Sequence, residues 1–363
     1  MTGGRRAAVL HALADAHDFF RSLVDGSWVP DHLNRRNLYG QIRVAEVGYA
    51  PAGWDRTLRH LRGQGYSDAT LEAAGLARRA ATGRLIDHFR DRLILPLADR
   101  DRVVVGFIGR VGPAADGAAP KYLNSPQTVV FSKHHLLYGL GEDADAIRRG
   151  AMPVIVEGPM DRLALRQAAR HLTVAGVAPC GTALTAAQAE ALLGEVGPRR
   201  PVAVAFDPDV GGRAATVRAW EVLTDAGARN LLHVPLPGWR DPADLVRIGR
   251  AGRLRDAITG NRPLALAVAD QRVAAAGVGR GDAWPRRYAT AKDVAVRDLH
   301  RVPGNLIGCY VAHLAQILDL EPEVVTAVAT EAAAVCLQAA SPNRRRRPPQ
   351  RAPAPSMVRA RRG

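Results

Sequence analysis

From Pro153 onward the sequence alternates short apolar segments with longer amphipathic ones, and this pattern restricts the fold more than any other feature. The apolar segments PVIVEG, LTVAG, PVAVAFDPD and NLLHVPLP have the length of buried strands. The segments between them have helical spacing, with Thr182 or Thr185 as the N-cap of one helix and Gly227 closing the next. Short apolar strands that alternate with helices predict a parallel sheet covered on both faces.

Carboxylates stand at the ends of these predicted strands. Glu157 ends the first strand, and Asp207 and Asp209 end the third, where extended backbone would point both aspartates to the same side. In open α/β sheets the ligand site lies at the carboxyl ends of the strands. A single acid in such a place is usually a cap or turn residue, and Asp241 before Pro242 fits that role equally well. The repeated placement of acids nevertheless favours a functional cluster.

Clustered carboxylates repel one another and stay ionised together only when cations lie between them. Oxygen ligands select hard ions, so the pattern predicts Mg²⁺ or Mn²⁺, which can clamp phosphoryl oxygens. The candidate metal ligands are Glu157, Asp161, Asp207, Asp209 and Asp241. We expect no zinc, because the three cysteines lie far apart and form no Cys-x-x-Cys pair.

Lysine is rare in this chain, which has 47 arginines and only three lysines. Lys121 and Lys133 both lie in the segment PKYLNSPQTVVFSKHHLLYGL, and a compact ammonium there can meet a phosphate, although two surface lysines on a loop would be the ordinary interpretation. Tyr122 and Asn124 can stack on a base or form hydrogen bonds to it. The net charge of +15 is a weak indication of nucleic acid.

Two groups of motifs resemble a known family. EGPMD (157–161) followed by FDPDVGGRAA (206–215) resembles the Toprim signature shared by primases, topoisomerases and some nucleases. Upstream, GFIGR, PKYLNSPQT and KHHLLYGL resemble, in the same order, the catalytic core of bacterial DnaG-type DNA primases. The resemblance spans roughly residues 15–335. It implies a catalytic role for Glu157, Asp207 and Asp209, and it implies nucleic-acid or nucleotide binding by Arg110, Lys121, Asn124 and Lys133.

The resemblance also implies an α/β architecture in four parts. These are a mixed α/β region with a basic ridge (1–145), a Rossmann-like Toprim region with a parallel sheet (150–245), a helical region (246–340) and a disordered Arg/Pro-rich tail (341–363). Two β-rich runs, 93–97 and 103–108, independently predict a hairpin in the first part. The implied activity is Mg²⁺-dependent synthesis of short RNA primers from ribonucleoside triphosphates on single-stranded DNA.

The sequence departs from this family in three ways. It shows no ligands of an N-terminal zinc module, and an Arg/Pro tail stands where a helicase-binding domain is expected. The third acidic motif reads DPAD rather than DPD, so that Asp241 matches and Ala243 takes the second acidic position. The first two departures fit either a split system with a separate zinc-finger subunit or a variant encoded on a phage, plasmid or integrated island. The expected partners are therefore a separate zinc-finger subunit or a replicative helicase.

Two other functions remain open from the sequence. A Toprim nuclease would share the acids, and a single-strand-binding replication protein would share the fold without robust synthesis. The PKYLNSP segment favours a primase over a nuclease, and the presence of the central acids favours an enzyme over a binding protein. No apolar stretch reaches 18 residues and the N-terminus lacks a long apolar segment, so we expect a cytoplasmic protein with no membrane partner.

Overall fold

The structure is a computed structural model that describes residues 3–44, 46–113, 119–181, 183–238 and 240–340. The predicted disordered tail (341–363) and Thr182 lie outside the described residues. Thr185 is the N-cap of its helix, and its hydroxyl and the side chain of Gln188 form a capping box.

The N-terminal region is built on a four-stranded antiparallel sheet. The helices of this region are α1 (Gly3–Ser22), α2 (Val29–Asn34), α3 (Gln41–Val44), α4 (Arg56–Gly63) and α5 (Asp68–Ala73). The strands of this region are β1 (Gly48–Ala50), β2 (Ala77–Arg79), β3 (Leu85–Asp87), β4 (Arg92–Ala98), β5 (Val104–Val111) and β6 (Tyr122–Asn124). The strand order in the four-stranded sheet is β1-β4-β5-β6, and β2 pairs with β3 in a separate two-stranded ribbon. The antiparallel pairing of β4 with β5 confirms the predicted hairpin.

The central region is built on a six-stranded sheet with the order β12-β11-β10-β8-β9-β7. Its elements are β7 (Leu137–Tyr138), α6 (Leu140–Arg148), β8 (Met152–Val156), α7 (Pro159–Ala168), β9 (Val174–Pro179), α8 (Ala186–Val196), β10 (Val202–Ala205), α9 (Val210–Asp225), β11 (Leu231–His233), α10 (Pro242–Arg247), α11 (Ala251–Thr259) and β12 (Arg262–Pro263). Strands β11, β10, β8 and β9 are mutually parallel, as predicted, while the two short edge strands are antiparallel.

Both faces of this sheet are buried. Ile155 of β8 belongs to a core shared with Trp220 of α9, whereas its neighbour Val154 belongs to a second core with Leu163 of α7 and Leu245 of α10. Alternate residues of one strand therefore face opposite helical layers, which explains why the predicted strands are continuous apolar runs.

The C-terminal region is helical and completes one of these two cores. It comprises α12 (Leu264–Ala275), α13 (Trp284–Asp298), α14 (Ile307–Leu318) and α15 (Pro322–Ala340), with two short 3₁₀ turns at Leu299–Arg301 and Gly304–Leu306. Val268 and Leu314 pack in the same core as Trp220. No helix of the described chain is both long and apolar enough to span a bilayer.

The order of the strands fixes where a ligand can enter the central sheet. From β8 the chain crosses to β9 on one side, and it later returns to β10 on the other side of β8. Helices that connect such strands leave a crevice at the carboxyl ends of the two central strands. Glu157 follows β8 directly and Asp207 lies two residues after β10, so both flank this crevice.

Candidate active site

A pocket of about 240 Å³ opens at this crevice and is closed on its other side by β5 and β6. Eight of the ten predicted site residues line it: Glu157, Asp161, Asp207, Asp241, Arg110, Lys121, Tyr122 and Asn124. The first four, here called the carboxylate cluster, come from the central region, and the other four come from the N-terminal sheet. Segments more than 30 residues apart in sequence thus meet in one cavity.

A hydrogen bond joins the first two motifs of the carboxylate cluster. The backbone N–H of Asp207 donates to Oε1 of Glu157 at 3.0 Å. One carboxylate oxygen of Asp207, Oδ1, is buried and has no hydrogen-bond partner among the described residues. A buried oxygen of this kind is costly unless a ligand satisfies it.

Asp209 departs from the expected geometry. Strand β10 ends at Ala205, so Asp207 and Asp209 do not share an extended strand, and the condition for predicting that both point to the same side is not met. Asp209 is the N-cap of α9, and its Oδ1 accepts a hydrogen bond from the N–H of Gly212 at 2.7 Å. Helix α9 begins directly after Asp209, because the Asp209 carboxylate satisfies one of the N–H groups in the first turn that have no partner within the helix. Asp209 is exposed and does not line the pocket.

The DPAD motif provides one carboxylate and one backbone donor. Asp241 caps α10, and the N–H of Ala243 donates to Oδ1 of Asp161 at 3.2 Å. Asp244 instead pairs with Arg247 on the helix surface, with 3.0 Å between Oδ1 and Nε. The structure therefore places Asp241, and not Asp244, in the pocket.

Burial and mutual repulsion raise the pKa values of the carboxylate cluster. Burial, followed by the charges of Glu157, Asp161 and Asp241, raises the pKa of Asp207 to about 8. Burial and the charge of Asp241 raise the pKa of Asp161 to about 7. Burial also raises the pKa of Glu157. A cation in the pocket would lower these pKa values again, because it stabilises the ionised carboxylates.

The pocket fits a hard divalent cation, although it is not a preformed metal cage. Among the described residues, no three Asp, Glu, His or Cys side chains are grouped closely enough to hold an ion by themselves. Mg²⁺ is commonly held by one or two carboxylates, with waters and substrate phosphates completing its coordination. Oxygen donors and the unsatisfied Asp207 Oδ1 match that requirement.

The raised pKa values predict an unusual dependence of stability on pH when no divalent metal is present. The folded pKa values of Asp207 and Asp161 lie above the unfolded value of about 4. The folded chain then binds more protons than the unfolded chain, so stability falls as pH rises from about 4 to about 8. Thermal melting in a chelator should show this fall, and Mg²⁺ should raise Tm more at about pH 8 than at about pH 5. An Asp207→Asn variant whose slope equals that of the wild type would contradict the prediction.

Arg36, Arg110 and Lys121, here called the basic wall, line the same pocket as the carboxylate cluster. Arg110 of β5 is paired in register with Tyr122 of β6. Its guanidinium donates to the Tyr122 hydroxyl and lies 5.3 Å from the centre of the tyrosine ring. Tyr122 thus holds Arg110 in place, and burial raises the pKa of this tyrosine.

Asn124 and Lys133 differ in their placement. The Asn124 amide donates to the Cys180 carbonyl at 2.8 Å, and its Oδ1 is buried without a partner among the described residues. Lys133 is exposed on a turn, and its carbonyl accepts a hydrogen bond from Gln188 at 2.9 Å. Lys133 does not line the pocket, so its predicted role in ligand binding remains a prediction.

Two features of this surface were not predicted. Arg36, which follows α2, lines the pocket, but nothing distinguishes it in sequence from the other arginines.

Trp54 is 59% exposed, and Arg90 stacks over it with 4.1 Å between Cζ and the ring centre. Trp54 stands in a Pro/Gly-rich segment, PAGWD, where a loop tryptophan could have indicated a stacking surface. His88, two residues before Arg90, contacts the carbonyl of Asn124 at 3.0 Å and so links this surface to the pocket.

Comparison with known proteins identifies the family of this chain. The family described as the DNA primase catalytic core, N-terminal domain, matches residues 22–144, and a Toprim-like family matches residues 154–246. The DNA primase of Deinococcus radiodurans is 39% identical over 249 residues, which cover 68% of this chain and 42% of that protein. The crystal structure of a DNA primase domain from Pseudomonas aeruginosa is 30% identical, with a TM-score of 0.70, covering 89% of this chain and 99% of that domain. The chain belongs to the family of bacterial DNA primase catalytic cores.

A second solved primase structure has this fold and was crystallised with DNA. The RNA polymerase domain of Mycobacterium tuberculosis primase DnaG, crystallised with a double-stranded DNA that carries a six-nucleotide overhang, has a TM-score of 0.73 at 27% identity. That match covers 86% of this chain and 97% of the domain. This primase core spans about two fifths of the length of the curated relatives that it matches.

Proposed function

We propose that this chain is a primase-type nucleotidyl transferase that joins ribonucleotides on a single-stranded DNA template with the help of Mg²⁺. The observation that carries the proposal is one pocket lined by both the carboxylate cluster and the basic wall. The DNA primases among its relatives and the Toprim-like match, typical of enzymes that use divalent metal, support it. A replicative helicase or a separate zinc-binding subunit as partner remains a prediction from the sequence.

The chemical roles follow from the two sides of the pocket. Glu157, Asp161, Asp207 and Asp241 would supply carboxylate oxygens to bound Mg²⁺, one or two to each ion, with Asp209 nearby at the start of α9. When bound, Mg²⁺ would neutralise charge on the phosphoryl oxygens of an incoming triphosphate. Arg36, Arg110 and Lys121 would bind phosphates from the opposite side, and their positive charge balances the polyanion.

The hydrogen bond between Glu157 and the backbone of Asp207 fixes the relative positions of these two residues. Because Oε1 of Glu157 accepts from the Asp207 backbone, it fixes the loop that carries Asp207. Burial raises the pKa of Glu157, which makes its carboxylate a stronger proton acceptor than an exposed glutamate.

Trp54 and Arg90 would extend the site toward the template strand. The indole offers one face to an unpaired base while Arg90 covers the other and adds positive charge. Base stacking on an aromatic ring tolerates any sequence, which suits a protein that must read many templates.

Replacing Trp54 with alanine should weaken binding of a single-stranded oligonucleotide roughly tenfold, because stacking contributes about 1–3 kcal/mol per base. Fluorescence anisotropy of a labelled oligonucleotide measures the change. Trp284→Ala is the matched control, since Trp284 is similarly exposed but lies in the C-terminal helices. Equal affinities for the wild type and Trp54→Ala, or equal losses in both variants, would contradict this role.

The proposed activity is tested by incubating the protein with single-stranded DNA, labelled ribonucleotides and Mg²⁺ or Mn²⁺. Short labelled oligonucleotides that depend on the template are the expected product. Shortening of the template without synthesis would instead indicate a Toprim nuclease. Binding of the template with neither reaction, even after addition of candidate zinc-binding subunits, would indicate a replication accessory protein.

A further inference from the structure

A buried histidine lies behind the basic wall and contacts one of its arginines. His32 belongs to α2 and is only 7% exposed. Arg36 follows one helical turn later, and its Nε donates a hydrogen bond to Nε2 of His32 at 3.1 Å. His32 does not line the pocket, whereas Arg36 does.

The imidazole is held in a defined orientation. The ring of Trp28 packs edge-on against it, with 5.4 Å between ring centres and an angle of 87°. Trp28 is itself fixed, because its indole N–H donates to Oδ1 of Asp91 at 2.8 Å. The histidine ring is therefore positioned from one side by packing and from the other by the bond to Arg36.

The surroundings of His32 keep it neutral, so that it accepts from Arg36 and does not repel it. Burial, followed by the positive charges of Arg110, Arg36 and Arg35, lowers the pKa of His32 to about 4. In the neutral form Nε2 is the acceptor and Nδ1 carries the proton, as the hydrogen bond requires.

This arrangement determines which part of Arg36 meets a ligand. With Nε bound to His32, the two terminal nitrogens of the guanidinium remain for the pocket, where a planar fork matches the geometry of a phosphate. A free arginine side chain would lose several rotamers on binding, and a fixed one loses fewer.

We propose that His32 is a positioning residue that holds Arg36 with its terminal nitrogens toward a phosphate group bound in the pocket. The phosphate belongs either to the nucleic-acid strand or to a nucleoside triphosphate. The inference rests on the proposed function only in requiring that the pocket binds a phosphate, and it does not require that synthesis occurs.

Two substitutions at His32 separate positioning from packing. Gln places an oxygen acceptor where Nε2 lies, and Leu fills similar volume without an acceptor. We would measure Tm, anisotropy with a fluorescein-labelled single-stranded oligonucleotide, and calorimetric binding of magnesium ATP for His32→Leu, His32→Gln, Arg36→Ala and the double variant His32→Leu/Arg36→Ala. These binding measurements remain informative even if the wild type makes no primers, so a failure of the proposed function is recognised separately.

His32→Leu should weaken one of the two ligands about tenfold, and His32→Gln should recover most of that loss. A loss for the oligonucleotide assigns the phosphate to the strand, and a loss for magnesium ATP assigns it to the nucleotide. In the Arg36→Ala background, His32→Leu should cause no further loss. Unchanged binding of both ligands by His32→Leu, equal losses in the Leu and Gln variants, or additive losses in the double variant would overturn the proposal. If His32→Leu lowers Tm strongly, recovery by His32→Gln and its dependence on Arg36 decide the question.

Discussion

Replacing Asp207 with asparagine is expected to lower primer synthesis about 100-fold or more while leaving single-stranded DNA binding within a few-fold of the wild type. Asp207 has the most strongly raised pKa of the carboxylate cluster and a buried oxygen without a partner among the described residues. Asparagine keeps the size of the side chain and removes its charge, so it removes affinity for a metal ion. Primer synthesis at saturating Mg²⁺ and anisotropy with a labelled oligonucleotide measure the two effects.

The control for this variant is Asp244→Asn. Asp244 belongs to the same acidic motifs in sequence, but the structure pairs it with Arg247 on the surface of α10. An exposed ion pair of this kind contributes little, so this variant should remain nearly as active as the wild type. Equal activity of Asp207→Asn and the wild type would remove Asp207 from the site. Equal and large losses of primer synthesis in both variants would show that Asp244 also acts in the site, which contradicts its placement on the surface of α10.

Replacing Gly212 with alanine is expected to lower primer synthesis about 100-fold or more and to lower Tm by several degrees. A Cβ atom at this position would lie 2.0 Å from the carbonyl oxygen of Asp207 and 2.6 Å from Oε1 of Glu157. Neither contact is possible, so the start of α9 would have to move away from the loop that carries Asp207. Displacement of about 1 Å at a reacting centre is enough to lower a rate about 100-fold.

Gly308→Ala is the matched control for this variant. Gly308 also lies in the first turn of a helix, α14, and a Cβ atom there would meet no other atom within 4 Å. The substitution should leave activity unchanged and stabilise the helix slightly, since alanine has the higher helix propensity. Melting curves and primer synthesis for both variants test the close approach of α9. An active Gly212→Ala protein would show that α9 lies farther from Glu157 than in this structure.

The central sheet was predictable because its strands are buried on both faces. A strand such as β8 then reads as a continuous apolar run, and the acid at its end is conspicuous. The edge strands β7 and β12 were not predictable, because each has only two residues and is defined by its partner. The packing of α12 and α14 against the same core as α9 also depends on tertiary contacts that no local pattern specifies.

The candidate site was predictable only where residue type was informative. Lys121 stands out because lysine is rare, whereas Arg36 is one of 47 arginines. The capping role of Asp209 depends on where α9 begins, and the sequence leaves helix boundaries uncertain by a few residues. His32 carries no functional signal in sequence, since a histidine on an apolar helix face is usually part of a core.

The central claim is that the carboxylate cluster and the basic wall form one metal-dependent site, and metal-directed cleavage tests it most directly. Fe²⁺ substituted for Mg²⁺ in the presence of ascorbate and peroxide generates radicals that cut the backbone close to the bound ion. We expect cuts near Glu157, Asp207 and Asp241 and also across the pocket near Lys121, all suppressed by excess Mg²⁺ and absent in Asp207→Asn. Cleavage confined to other segments, or cleavage that Asp207→Asn leaves unchanged, would contradict the account.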